Sequence, residues 1–318
     1  CFNKVGLDHV LLVRIASTAV AAKLLGCDFS EIRNAVSHAF IDGGALRTYR
    51  HAPNTGSRKS WAAGDASSRG VDLALKAKTG EMGYPSALSA SFWGYNDVKM
   101  KGQTLTIPQE FGSYVMENVL FKISFPAEFH AQTAVEAAIK LHSEVKDRLG
   151  EIDTIIITTQ ESGHRIINKV GELANPADRD HCIQYMVAVP LIFGRLVADD
   201  YEDNVASDTR IDELRAKMVV EVDERYTREY LEADKRSIAN AVQVFFKDGS
   251  KTEKVEVEYP IGHKRRRKEG IPVLEAKFRA NLATRFSPKQ CARILGAFEN
   301  DKNLLNMNFN EFSDLFVV

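Results

Sequence analysis

The chain is poor in the features that most readily give a function away. Its four cysteines (Cys1, Cys27, Cys182 and Cys291) are far apart and form no CxxC pair. That spacing suits a reducing compartment and excludes a disulfide framework, a structural zinc site and a clustered-thiol iron–sulfur site as sequence-level readings. No apolar run approaches the roughly 20 residues that a membrane-spanning helix requires. The formal net charge of −1 gives no overall pull toward nucleic acid or anionic lipid, so any attraction for anions has to be local. No Walker-type glycine loop is present, nor any internal repeat or low-complexity segment. The chain begins at Cys1 and enters a helical pattern almost at once, as a fragment or processed product would.

What is present is a local concentration of positive charge. Arg47, Arg50, His51, Arg58 and Lys59 are five cationic or potentially cationic groups in one connecting segment. The segment runs through Thr55-Gly56-Ser57 toward a helix expected from about Trp61 to Lys78, rich in Ala and Gly in its first turns. A helix N-terminus beside clustered cations favours anions, because its free N–H groups and dipole add to the side-chain charge. The matching guest is a small polycarboxylate or phosphate. The plain alternative is a solvated basic loop, although Trp61 and the small residues after it point to a packed one.

Residues 9–25 are apolar nearly all round, the pattern of a buried helix. Asp28 or Ser30 can cap a second helix to Ile41, with Gly43-Gly44 closing it. Residues 80–102 are turn-rich, and a further helix is expected after Pro126 to about Lys146. Near Gly150 the pattern changes. Ile152–Thr158 is β-branched and apolar, and Ala241–Phe246, Asp248-Gly249 and Val255–Val257 read as a hairpin. Helical patterns near 180–196, 211–218 and 227–234 lie between them, and others follow Pro272. The expected fold class is mainly α with an inserted α+β domain. The division is a helical domain over 1–120, an α+β lid domain over 121–272, and a return to the helical domain over 273–318.

Other constellations carry suitable chemistry. His9 beside Asp8 can be held in one tautomer for proton transfer, or Asp8 can be a simple cap. Lys122, Glu128 and His130 form a second dense group around Pro126, where Glu128 could equally answer a helix dipole. His181 and Tyr185 open an apolar stretch four residues apart and would share a helical face. Cys182, between them, reads as a packed thiol. Residues 263–268, His-Lys-Arg-Arg-Arg-Lys, are the strongest charge run, read first as a solvated loop and second as a means of drawing in an anionic substrate. A nucleic-acid patch would need more basic surface than the rest of the chain offers.

In order along the chain, FNKVGLDHVLL, LRTYRHAPNTGSRKSWAAGDA, GYPSALSA, FWGYNDV, GSYVMENVLFKISFPAEFHAQTAVEAA and YPIGHKRRRKEGIPVLEAKF resemble the MmgE/PrpD family, and within it the 2-methylcitrate dehydratase branch. The resemblance implies a helical domain with a smaller lid domain, a homodimer, no cofactor or metal, and no nucleic-acid or membrane partner. It implies a hydro-lyase that removes water from 2-methylcitrate to give 2-methyl-cis-aconitate in propionate breakdown, mitochondrial in a eukaryote and cytoplasmic otherwise. It also implies that the chain is the C-terminal two-thirds of a longer protein, so that as an isolated fragment it could be an inactive binding module. By motif, His9, Lys59, Tyr185 and Lys122 are carried over as catalytic candidates, and Arg58, Arg47, Arg50 and His51 as substrate-binding candidates. The related cis-aconitate decarboxylases resemble a Pro-Ala-His pattern where this chain has Pro-Ala-Glu128, which favours the dehydratase branch.

Overall fold

The computed structural model describes residues 2–51, 54–107 and 112–318. Cys1 therefore lies outside the described residues. The chain divides into two compact units. One holds the described residues up to 107 together with Leu173–Asp178, and the other holds Gly112–Glu172 with Arg179–Val318. It is 55% helical with a small mixed sheet, a mainly α fold with an α+β part.

The first unit is built on the long helices α1 (Val10–Leu24), α2 (Phe29–Ile41) and α3 (Arg58–Lys78). Asp28 starts α2 through a capping box, accepting from the Glu31 amide while Glu31 answers the Asp28 amide. On α3, Ala62, Ala66, Gly70, Ala74 and Ala77 recur at three- and four-residue spacing and are all buried. That stripe lets α1 and α3 approach closely. A Cβ at Gly70 would stand 2.9 Å from the Thr18 amide nitrogen and 3.0 Å from the Arg14 carbonyl. The α1 surface departs from the all-round burial that its composition predicts. Within this unit Leu12, Val20 and Leu24 are exposed, because α2 and α3 cover only part of its circumference.

In the second unit the sheet order is β2-β1-β3-β4, with β1 Ile152–Thr159, β2 Met218–Val222, β3 Asn240–Phe246 and β4 Val255–Val257. β1 and β2 are parallel, whereas β1–β3 and β3–β4 are antiparallel. The strand at 152 and the 241–257 hairpin match the sequence reading, with Gly249 at φ +84° in the turn. The β2 strand does not, since the sequence pattern extends a helix to its first residue. It is a short edge strand with mostly exposed side chains, so alternation gives little signal there. Helix α4 (Gln132–Val145) packs on the sheet and on α5 (Ile183–Phe193), where every residue from Ile183 to Ile192 is buried.

The two compact units divide the chain differently from the sequence reading at two places. Residues 273–318 belong to the second unit. Helix α6 (Arg267–Ala283) is tied to the 119–122 segment of that unit: Arg267 donates to the Val119 carbonyl at 2.7 Å and Lys277 to the Lys122 carbonyl at 2.6 Å. Conversely, Leu173–Asp178 joins the first unit, where Asn175 Nδ2 donates to the Thr55 carbonyl at 3.1 Å.

Candidate functional site

In the first unit, a short backbone pairing assembles the cations. Leu7 bridges Leu46, the Asp8 amide donates to the Ala45 carbonyl, and the Arg47 amide to that of Gly6. This sets Asp8 against Arg47 and Arg50. The Asp8 carboxylate is fully buried. It accepts from the Val10 amide at 3.0 Å, from Arg50 Nε at 2.7 Å and from Arg47 Nη1 at 3.3 Å. Burial alone would raise its pKa, but the Val10 hydrogen bond and Arg50 outweigh it and hold the carboxyl below its ordinary value.

His9 stands at the start of α1 with its ring exposed. Its Nδ1 lies 3.6 Å from Asp8 Oδ1 and 3.4 Å from Arg47 Nη1. Partial burial, then Arg50 and Arg47, lower its pKa against the opposing effect of Asp8, which favours the neutral, proton-accepting ring. Arg47 and Arg50 are thus committed to a buried carboxylate, a partnership that no local pattern in the sequence signals.

Arg58 and Lys59 lie inside the first turn of α3, three residues earlier than the pattern at Trp61 predicts. Both cations therefore sit on the positive end of a 21-residue helix whose first turn carries no acid. Arg58 stacks over Trp61, 4.3 Å from the ring centroid, and reaches Asp65 at 3.5 Å. Lys59 Nζ donates to the Ala177 carbonyl at 3.4 Å, and His51 is exposed. A cavity of about 210 Å³ opens between α1 and α3, where Arg14, Arg58 and Arg69 face Asp42 and Asp65. Arg58 is the one sequence-predicted site residue that lines it.

The second unit carries its own cluster. Lys122 reaches solvent, yet protein around its amine pushes its pKa down, against the pull of Asp180 and Glu128 and with Lys277 adding to the fall. Glu128 caps the turn Phe129–Ala131 by accepting from the His130 amide at 2.8 Å, and both its oxygens lie 2.8–2.9 Å from His130 Nδ1. His130 Nε2 lies 3.2 Å from the Tyr230 hydroxyl. Burial would raise the Glu128 pKa, but His130 and then His181 reverse that and hold it low. Tyr230 is pushed up by burial and by the Glu128 charge.

Tyr185 is not part of that group. It is 2% exposed, its hydroxyl donates to the Asp200 carbonyl at 2.5 Å, and its ring stacks on Tyr201. Burial lifts its pKa to about 12. Its hydroxyl thus already has a partner within the second unit. His181 precedes α5 rather than sharing a face with Tyr185, and its Nδ1 pairs with Asp180 at 2.9 Å. Tyr230 is the residue that sequence reading misses, because 100 positions separate it from His130.

The 263–268 run is absorbed by the fold. Arg266 pairs with Glu136 and Glu269, Arg267 stacks on Phe121 at 3.7 Å, Lys264 reaches Asn118, and Arg265 donates to the Asp234 carbonyl. The solvated-loop reading is replaced by a ring of internal partners.

Residues 1–108 match the MmgE/PrpD N-terminal domain and residues 125–302 the MmgE/PrpD C-terminal domain. The chain belongs to the MmgE/PrpD family. Among its relatives in that family, the 2-methylcitrate dehydratase of Salmonella typhimurium is 60% identical over the whole chain, and that of Cupriavidus necator 59%. The mitochondrial 2-methylcitrate dehydratase of Yarrowia lipolytica is 57% identical over 99% of the chain. The chain spans 66% of the length of the two bacterial proteins and 61% of the yeast protein. The MmgE/PrpD N-terminal match holds the Asp8–Arg50 ion pair and Lys59, and the C-terminal match holds the Glu128–His130–Tyr230 group.

Proposed function

We propose that the protein containing this chain is a 2-methylcitrate dehydratase, which eliminates water from 2-methylcitrate to give 2-methyl-cis-aconitate. The observation that carries the reading is the pair of cations, Arg58 and Lys59, in the acid-free first turn of α3. Such a turn adds its dipole to two positive side chains and favours an anion beside them. Relatives at about 60% identity bear the dehydratase name and supply the anion's identity.

Dehydration of such a trianion needs carboxylate binding, removal of a proton beside a carboxylate, and a proton for the departing hydroxyl. Lys59 and Arg58 hold carboxylate. His9, neutral beside the Asp8–Arg47–Arg50 cluster, accepts the carbon-bound proton. Arg47, Arg50 and His51 are secondary binding groups, with the two arginines chiefly holding Asp8 and hence His9 in place. Lys122, carried by the second unit, is the candidate for the leaving-group side. The homodimer belongs to the same proposal, and light scattering of the purified protein tests it.

The reaction is tested by incubating the protein with 2-methylcitrate and following the unsaturated product by ultraviolet absorbance. A rising signal is expected. No product at millimolar substrate would remove the dehydratase reading. Release of carbon dioxide from cis-aconitate would favour the decarboxylase branch instead.

A further inference from the structure

The cavity of about 210 Å³ between α1 and α3 lies wholly within the first unit, and its walls include Arg58 but neither Lys59 nor His9. Its charges are unevenly matched. Asp65 answers two guanidinium groups, Arg69 at 3.3 Å and Arg58 at 3.5 Å, while Asp42 lies 3.6 Å from Arg14. Three cations therefore face two carboxylates, and one positive charge is left over. Arg14 is the buried member of the set, its side chain keeping only 9% of its exposure. Its Nη2 donates to the Ala39 carbonyl at 2.7 Å near the end of α2, yet its Nε has no hydrogen-bond partner among the described residues. The Tyr95 hydroxyl, beside Gly44 of the same wall, is likewise buried without one. Buried polar groups are seldom left unmet, so two on one wall of a charged cavity call for an occupant. Much of the remaining lining is apolar, with Val10, Ala62 and Ala66 packed as one buried cluster. The volume falls below the roughly 300 Å³ at which sites for drug-sized ligands begin, which limits the occupant to a few carbons. A carboxylate is planar, matches the edge of a guanidinium, and carries the single charge that is missing. Phosphate is tetrahedral and has nothing to lay on the apolar lining.

We propose that this cavity binds a short aliphatic monocarboxylate, its oxygens on Arg14 Nε and Arg69 and its carbons on Val10, Ala62 and Ala66. The site stands beside the dehydratase reading rather than on it. Arg58 is the one residue common to this cavity and to the cation pair of the α3 first turn.

The experiment titrates butyrate into the intact protein by calorimetry, beside Arg69→Gln, Ala66→Leu and Lys59→Ala, with thermal melts to show that each variant is folded. Binding in the millimolar range is expected. Arg69→Gln removes a charge whose side chain is 60% exposed, so the fold should survive it, and it should weaken butyrate binding by about 10-fold or more. Ala66→Leu fills the apolar lining and should abolish binding. Lys59→Ala should bind butyrate as the parent does. Inorganic phosphate, without an apolar part, and butylamine, with the opposite charge, should each bind at least about 10-fold more weakly. No binding at tens of millimolar butyrate, unchanged binding in Arg69→Gln, or binding lost in Lys59→Ala would overturn the site. Phosphate or butylamine binding as tightly as butyrate would overturn the carboxylate assignment. A protein that binds butyrate in this pattern but forms no product from 2-methylcitrate would keep this inference and lose the dehydratase reading.

Discussion

The buried carboxylate of Asp8 accepts from Arg50 Nε at 2.7 Å, across 42 residues of sequence. This contact folds the 45–50 segment back onto the start of α1 and places His9 beside two guanidinium groups. Replacing Asp8 with Asn would leave Arg47 and Arg50 without their counter-charge in a partly buried setting. Breaking such a pair costs roughly 3 kcal/mol. The expected result is a drop of that order in unfolding free energy, measured by urea denaturation, with His9 further disfavoured in its protonated form.

Tyr185→Phe tests the core role of Tyr185. It removes a hydroxyl that serves the Asp200 carbonyl inside the second unit. A loss of about 1–2 kcal/mol in stability is expected, with turnover unchanged. A variant that kept full stability but turned over about 100-fold more slowly would return Tyr185 to the chemistry.

His263 is 2% exposed, stacks on Tyr259, and accepts from the Arg265 amide through Nδ1. Burial, then the charges of Arg265 and Lys264, press its pKa from 6.5 to about 4. The unfolded chain therefore binds more protons than the folded one between those values, so stability falls as pH drops from about 6.5 to 4. The full effect is on the order of 3 kcal/mol. Thermal melts across that range should show the loss, and His263→Gln should flatten the dependence.

Arg266 makes two contacts to Glu136, at 2.8 and 3.2 Å, and donates to the Tyr259 carbonyl. Its neighbours are held too, Lys264 by the Asn118 side chain, Arg265 by the Asp234 carbonyl and Arg267 by the Val119 carbonyl, so the run is built into the fold rather than displayed for a polyanion. Retention on DNA or RNA should be absent at physiological salt. Arg266→Ala should destabilise the second unit by roughly 2–3 kcal/mol, read by chemical denaturation.

The fold is legible in the sequence where the physics is local. The β-branched strand at Ile152, the Asp248-Gly249 turn, the Asp28 cap and the small-residue stripe of α3 all follow from neighbouring residues. The edge strand Met218–Val222 is not legible, because its exposed side chains alternate weakly. The site is legible as a set of residue types but not as partnerships. The pairing of Arg47 and Arg50 with Asp8 spans 39 and 42 residues, and nothing near Tyr230 in sequence points to His130. For Tyr185, motif position carries no information about the Asp200 carbonyl that its hydroxyl meets.

Lys59 bears most directly on the central claim that the cations of the α3 first turn hold a tricarboxylate for dehydration. The decisive measurement is kcat/KM for 2-methylcitrate in the intact protein and in Lys59→Ala, compared at equal folded fraction. Loss of one charge-stabilising donor predicts a fall of about 100-fold or more, partly recovered by Lys59→Arg. Turnover by Lys59→Ala within a few-fold of the parent would contradict the account.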